Sequence, residues 1–196
     1  EKMGRAANSS ISLKQIHVTD NFWNKYVHLV KDVIIPYQWD ILNDKLEDVE
    51  TSHCIENFKI AAGEKEGEFQ GAVFQDTDVA KWLEAVGFVL NYERDEKLEE
   101  LADETIELIG RAQQPDGYLN TYFTIKDPSK RWTNLKEGHE LYTAGHMTEA
   151  AVAYYKATGK TEFLDIMKKF ADLICRTFGP EEGQNHGYPG HQEIEL

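Results

Sequence analysis

The 196-residue sequence is short of basic residues, of cysteine and of long apolar runs, and each shortage excludes a class of protein. Its 21 Lys and Arg residues stand against 35 Asp and Glu residues, which leaves a formal net charge of −14. Nucleic acid and anionic membrane surfaces are therefore excluded as main partners, because both bind clustered cations. No apolar run approaches the roughly 20 residues that are needed to cross a bilayer.

Cysteine occurs only at Cys54 and Cys175, and the spacing of the two fits no metal-finger motif. We expect both to be small buried hydrophobic side chains. Hydrophobic residues nevertheless make up 41% of the chain, which is enough for a sizeable core and excludes a disordered protein. No secretory signal is visible, and the opening EKMGRAANSS resembles a linker or a trimmed end.

Apolar residues recur at spacings of three and four, which is the period of a helix, and no strand-like alternation competes with it. Asp20 and Asp78 are natural N-caps, and Pro36 should bend or end the first helix. The glycine-rich stretch 63–71 is predicted to be a loop. The predicted helices cover residues 22–34, 54–62, 79–92, 96–111, 140–157 and 161–178.

A weak internal repeat relates two helical hairpins. A shift of 65 positions lays residues 81–117 over residues 146–182 without a gap, and it places Glu84 on Glu149. Repeats of this period are stacked helix pairs. Each unit has a short turn at one end and a long loop, rich in glycine and aromatic residues, at the other, as in a helical toroid with a binding face. We therefore predict an all-α fold of antiparallel hairpins.

Two Gly-His pairs, Gly138-His139 and Gly190-His191, stand where long loops meet helical stretches. In a ring of hairpins such junctions face one central cleft, so the two imidazoles should lie within roughly 10 Å of each other around one ligand, such as a sugar hydroxyl. The alternative is that each histidine caps its own helix or fills its loop. A shared metal between His139 and His146 is excluded, because seven positions span roughly 10 Å of helix.

Carboxylates offer a second set of candidates, because a glycosidase needs one protonated carboxyl group and a second group that acts as base or nucleophile. Asp76 and Asp78 lie beside aromatic residues just before a predicted helix. Most of the acidic residues must be solvated surface, and the pattern does not say which of them face each other. The glutamates that flank the two histidines are Glu137, Glu140, Glu193 and Glu195.

Aromatic residues of the long loops are candidates for stacking on sugar faces. Trp82 lies within a predicted helix and is expected in the core instead. The segment DGYLNTYF, residues 116–123, is either a hairpin tip or a sugar platform, and we favour the platform. The candidate stacking residues are Tyr118, Tyr122 and Trp132.

Several separate segments, in order, resemble the amino-terminal half of the catalytic domain of glycoside hydrolase family 127, the β-L-arabinofuranosidase family. They are VFQDTDVAKWLEAV, RAQQPDGYLNTYF, GHELYTAGHMTEAAVAYYKATG and FGPEEG followed by HGYPGHQEIEL. The resemblance implies an all-α chain that is part of an (α/α)6 barrel, a helical toroid of antiparallel hairpins. It divides the chain into a flexible amino-terminal segment, residues 1–15, and the amino-terminal portion of the barrel, residues 16–196, truncated at its carboxyl end.

The resemblance also implies retaining hydrolysis of terminal β-L-arabinofuranosides of plant glycans. In the family a zinc-held cysteine thiolate is the nucleophile and a glutamate is the acid/base, and zinc keeps such a thiolate deprotonated. These groups are expected beyond Leu196, so no catalytic residue and no metal ligand is assigned to this chain. Neither Cys54 nor Cys175 takes the nucleophile's role. The residues that fall on the family's sugar contacts are His139 and His191.

We therefore expect a piece of a longer hydrolase that binds carbohydrate, needs zinc only in the full-length enzyme and is inactive alone. Its uncovered barrel interior should favour self-association. The compartment is left open between the cytoplasm and the periplasm of a bacterium. Two alternatives are another (α/α)6 enzyme on pectic sugars, of the unsaturated glucuronyl hydrolase type and using Asp76 or Asp78, and a non-catalytic helical repeat module that binds a partner protein.

Overall fold

The computed structural model describes residues 11–196, and within this range the protein is all-helical. The predicted flexible segment, residues 1–15, lies largely outside the described residues, although Leu13–Gln15 form a 3-10 turn. The only β-type pairing among the described residues is an isolated bridge between Phe178 and Asn185. The helices are α1 Asn21–Leu29, α2 Ile35–Leu42, α3 Cys54–Ala61, α4 Asp76–Tyr92, α5 Glu96–Ala112, α6 Thr121–Lys126, α7 Leu135–Gly138, α8 Glu140–Thr158 and α9 Glu162–Thr177.

The first helix begins where the sequence predicts it. Asp20 is its N-cap, and its Oδ1 atom accepts hydrogen bonds from the backbone N–H groups of Phe22 and Trp23. Pro36 does not end the helical run, because the chain stays helical from α1 into α2, which contains Pro36. A π-helical segment, Val30–Ile34, connects α1 to α2, and its wider turn accommodates a proline ring that would otherwise clash with the preceding turn.

Helix α4 begins earlier than predicted, at Asp76 rather than at Val79. Asp78 is therefore inside the first turn and is not an N-cap. Its carboxylate accepts a hydrogen bond from the Gln75 Nε2 atom at 2.7 Å, so it helps to hold the residue that precedes the helix. The other long helices match their predicted bounds to within one or two residues, which confirms the all-α prediction.

The two hairpins of the internal repeat pack through α4 and α8. At Gly87 in α4, an added Cβ atom would lie 2.9 Å from the backbone of Ala153 and Tyr154, so the two helices touch backbone to backbone. Helices α5 and α9 each bury one apolar stripe. In α9 this stripe includes Phe163 and Phe170, as the periodicity predicts.

The ends of the hairpins differ, as the repeat predicts. At one end, α8 turns into α9 through Gly159, whose φ of 78° suits glycine. At the other end, residues 113–139 and 178–191 form the long loops that lead to the two Gly-His pairs. The loops of both hairpins therefore reach the same end of the helical array.

Of the three residues predicted to be buried, Trp82, Cys54 and Cys175, the first two are buried and the third is not. Trp82 is buried and its Nε1 atom donates to the Ile35 carbonyl at 3.1 Å, as expected of a core residue. Cys54 is also buried, with its Sγ atom 3.3 Å from the Gln75 carbonyl oxygen. Cys175 is exposed, contrary to the prediction, because it falls outside the inward stripe of α9, which continues through Ile174.

An apolar groove of about 500 Å³ lies between α1 and α4. Trp23 and Tyr26 from α1 and Phe88 from α4 line it, and all three side chains are exposed. The groove is thus an exposed apolar surface that another protein surface could cover.

No helix among residues 11–196 combines the length and the apolar character that a bilayer crossing requires.

Candidate functional site

The two predicted histidines meet at the end of the array that carries the long loops. His139 lies between α7 and α8 with a left-handed backbone, φ 53°. His191 is extended and directly precedes a 3-10 turn, Gln192–Glu195. Their Nε2 atoms are 3.2 Å apart and their ring centroids 4.9 Å apart, within the separation expected from the sequence. Their contact with a sugar stays a prediction.

One arrangement of the ring hydrogens fits the contacts of both histidines. The Nδ1 atom of His139 lies 2.8 Å from the Glu137 carbonyl oxygen, which can only accept, so Nδ1 carries the hydrogen. In neutral His139 the Nε2 atom is then an acceptor. In that arrangement His191 donates from its own Nε2 atom to that of His139. The pair presents one nitrogen acceptor and one N–H donor side by side.

Aromatic side chains wall the histidine pair. The Tyr142 ring centroid lies 4.9 Å from that of His191 and 5.7 Å from that of His139. The exposed Phe74 ring lies 5.1 Å from His139 on another side. Lys81 places its Nζ atom 3.4 Å from the Tyr142 hydroxyl. Apolar ring faces beside a donor and an acceptor suit a sugar ring. Phe74, Tyr142 and Lys81 were not predicted from the sequence, although Tyr142 follows His139 by one helical turn.

Glu140 anchors the loop that carries His139. Its side chain is fully buried, and it accepts hydrogen bonds from the Tyr118 hydroxyl at 2.5 Å and from the Trp132 backbone N–H at 2.8 Å. Burial raises the pKa of Glu140, while these hydrogen bonds oppose the shift. Glu140 is thus a structural acceptor and does not face a ligand.

The prediction that loop aromatics form a sugar platform is wrong for Tyr118, which is buried. Tyr118 is 0% exposed, and Trp132 packs edge-on against Tyr118 and Phe178. Tyr122 is half-buried between Phe69 and Phe123. Residues 118–121 and Phe123 are therefore held in the core, where the buried Glu140 carboxylate accepts a hydrogen bond from the Tyr118 hydroxyl.

The two aspartates in the first turn of α4 do not form a catalytic pair. Asp76 is 2% exposed, and its carboxylate accepts hydrogen bonds from the backbone N–H and the hydroxyl of Thr121. Burial raises the pKa of Asp76 to about 6. Asp78 is tied to Gln75, and burial raises its pKa as well. Asp76 is inaccessible to a substrate, which weighs against the alternative of a glucuronyl hydrolase.

A group of metal-capable side chains lies next to Tyr142. One ligand atom from each of Glu84, His146 and Glu149 lies within 4.8 Å of the other two. The Nδ1 atom of His146 is 3.0 Å from a Glu193 oxygen but out of line for a hydrogen bond. A hydrogen bond with Glu193 raises the pKa of Glu149, and burial lowers that of His146. Two carboxylates and an imidazole could hold a divalent cation.

This group was not predicted from the sequence, from which no metal ligand was assigned to this chain. The signal was present in the internal repeat, which lays Glu84 on Glu149. Among the described residues, neither cysteine belongs to a group of three or more possible ligands. The remaining flanking glutamates, Glu137 and Glu195, are exposed.

Comparison with known proteins places this chain in a family. Residues 15–196 match the family model described as Beta-L-arabinofuranosidase, GH127 catalytic domain. The chain is 43% identical over 197 residues to the non-reducing end beta-L-arabinofuranosidase of Bifidobacterium longum subsp. longum, a match that covers 92% of this chain and 30% of that protein.

Solved structures agree with this match. The crystal structure of a GH127 beta-L-arabinofuranosidase from Geobacillus stearothermophilus T6 superposes with a TM-score of 0.90 at 64% identity, over 91% of this chain and 28% of that one. The structure of a second GH127 beta-arabinofuranosidase superposes with a TM-score of 0.85 at 36% identity, over 94% of this chain and 30% of that one. The chain spans about 30% of the length of these relatives. It belongs to the GH127 family, and residues 15–196 form part of the family's catalytic domain.

Proposed function

We propose that this chain supplies part of the sugar pocket of a retaining glycoside hydrolase, which releases L-arabinofuranose from β-L-arabinofuranosides of plant glycans. The observation that carries the proposal is the facing pair His139 and His191, with complementary hydrogen-bonding atoms 3.2 Å apart. The relatives named above carry the corresponding activity in their descriptions. An enzyme of about their length that contains this chain is called the full-length enzyme below.

The two imidazoles can bind one hydroxyl group of the sugar that lies beside both adjacent Nε2 atoms. The hydroxyl donates to the bare Nε2 atom of His139 and accepts from the Nε2–H group of His191, replacing their mutual hydrogen bond. Tyr142 and Phe74 offer apolar faces beside the pair, which suit the C–H surface of a furanose. These residues bind and orient the sugar, and no bond is made or broken on them.

The family's zinc-thiolate centre does not fit the residues of this chain. Cys54 is buried against a backbone carbonyl, and burial raises the pKa of its thiol well above the usual range, opposite to what a nucleophile requires. Cys175 is exposed and belongs to no group of three or more possible ligands among the described residues. The nucleophile, its metal ligands and the acid/base are therefore proposed to come from outside this chain, and the chain alone is proposed to be inactive.

The proposed function is tested by hydrolysis of a synthetic aryl β-L-arabinofuranoside by the full-length enzyme. We expect release of the aryl group and of L-arabinofuranose, and at least 100-fold slower reaction of the α-L anomer, because the orientation of the sugar determines which bond meets the nucleophile. The aryl release is followed by absorbance. Equal rates on both anomers, or turnover of an unsaturated glucuronide instead, would contradict the proposal.

We also propose that the chain by itself associates through the groove between α1 and α4. Burial of Trp23, Tyr26 and Phe88 would remove exposed apolar area from water, at about 25 cal/mol per Å². Light scattering should show a mass that rises with protein concentration. Replacing Trp23 by Gln should reduce this rise, whereas replacing the exposed Tyr188, which lies outside the groove, should not. A constant monomer mass at millimolar concentration would overturn the idea.

A further inference from the structure

The segment that carries His191 rests on two helices at points where a glycine lets backbones meet. An added Cβ atom at Gly190 would lie 2.5 Å from the Lys136 Cα atom in α7. An added Cβ atom at Gly145, in α8, would lie 2.6 Å from the Glu193 carbonyl carbon and 2.7 Å from its oxygen. Real Cβ contacts are essentially never this short, so both sites require glycine as long as the segment stays in place.

These two contacts bracket His191. Gly190 precedes it by one residue, and Glu193 follows it by two. Helix α7 leads directly into His139, and α8 begins just after it. The same two helices therefore position both histidines, and the distance between the imidazoles depends on how closely the segment approaches these helices.

The backbone conformation of Gly145 supports a contact role. It lies within α8 and is not among the residues with positive φ, so its backbone needs no glycine. Glycine in the interior of a helix is disfavoured relative to alanine. Close approach of the Glu193 backbone is the feature of the structure that explains its presence here. The Glu193 side chain also lies 3.0 Å from the Nδ1 atom of His146, the residue after Gly145, which adds a polar contact to this docking point.

We propose that Gly145 and Gly190 are positioning residues that set the spacing of His139 and His191 and thereby the fit of one sugar hydroxyl to both Nε2 atoms. This inference rests on the proposed function. A methyl group at either glycine would displace the segment by a substantial part of an ångström or more, whereas a hydrogen bond is lost once its atoms are more than about 3.5 Å apart. Displacement of a binding group by about 1 Å is enough to lower a rate constant by up to about 100-fold.

The test uses Gly145→Ala in the full-length enzyme. We expect kcat/KM for the aryl β-L-arabinofuranoside to fall about 10- to 100-fold. The matched control is Gly110→Ala, a helical glycine of α5 whose added Cβ atom would meet only the flexible end of the Ile166 side chain, at 3.1 Å. The control should leave kcat/KM within about 2-fold of the wild type. Melting temperatures of both variants report any general loss of stability.

The decisive measurement repeats Gly145→Ala in a His191→Ala background. If the glycine acts through His191, it should lower kcat/KM no further there, whereas a merely structural role would lower it equally in both backgrounds. An equal fall overturns the inference. The proposed function fails in a different way, because His191→Ala alone would then leave kcat/KM unchanged. If Gly145→Ala does not fold, Gly190→Ala provides the same test from the loop, and an unchanged kcat/KM there overturns the inference.

Discussion

Replacing His139 or His191 by alanine is expected to lower kcat/KM of the full-length enzyme by about 5- to 150-fold. The reason is the loss of one hydrogen bond to the bound sugar, about 1–3 kcal/mol of transition-state stabilisation. Because the two Nε2 atoms are 3.2 Å apart and share one hydroxyl in the proposed complex, their effects should be coupled. The double replacement should therefore lose less than the product of the single losses. Initial rates on the aryl β-L-arabinofuranoside measure all three variants.

His28 offers a control for these substitutions. It is exposed on α1 and its nearest charged partner is Asp32 at 3.8 Å, so its replacement by alanine should change kcat/KM less than about 2-fold. A second control addresses the backbone of His139, whose φ of 53° strains alanine more than asparagine. His139→Asn should keep the fold but lose the Nε2 acceptor. Full activity in both His139 variants would rule out the proposed hydroxyl contact.

Replacing Glu140 by alanine is expected to lower the free energy of unfolding by about 2–6 kcal/mol. The Tyr118 hydroxyl and the Trp132 backbone N–H would each lose a buried acceptor, at about 1–3 kcal/mol for each group. Urea unfolding followed by tryptophan fluorescence measures the change, because Trp132 lies at the site itself. The loop that leads to His139 should loosen in the same variant.

Glu140→Gln is the matched control for this effect. Its amide oxygen can still accept from the Trp132 N–H group, and its amide nitrogen can donate to the Tyr118 hydroxyl oxygen. The glutamine variant should therefore keep most of the stability that alanine loses. Surface substitutions usually change the free energy of unfolding by less than about 0.5 kcal/mol. If both variants lie within that range of the wild type, Glu140 does not anchor the loop.

Much of the fold could be predicted from local pattern, because α5 and α9 each bury one stripe at helical spacing. Phe163 and Phe170 lie on that stripe and are buried. Cys175 was misassigned because a cysteine is usually buried, whereas its position on α9 faces outward. The start of α4 was missed for a different reason. Asp76 resembles a residue before a helix, but its carboxylate binds Thr121, 45 positions away, and local pattern carries no such contact.

The internal repeat made it possible to predict which loops of the candidate site lie together. The contacts that depend on tertiary packing could not be predicted. Equivalent loops lie at one end of the array, so the proximity of His139 and His191 could be expected. The repeat also aligned Glu84 with Glu149, yet their contact depends on the close packing of α4 on α8 at Gly87. Tyr118 resembled an exposed loop aromatic because nothing nearby in sequence indicates that Glu140 draws it inward.

The buried Asp76 carboxyl group makes folding a proton-uptake reaction in mildly acidic solution. Its pKa is raised to about 6 in the folded chain, against 3.8 for an ordinary aspartate, mainly because burial disfavours the charged form. Between these values the folded chain holds a proton that the unfolded chain releases. The contribution of Asp76 to the free energy of unfolding is therefore greatest below about pH 4. It falls by on the order of 3 kcal/mol as the pH rises from about 4 through 6. Asp76 thus opposes the acid destabilisation that the ion-paired carboxylates of this acidic chain would cause.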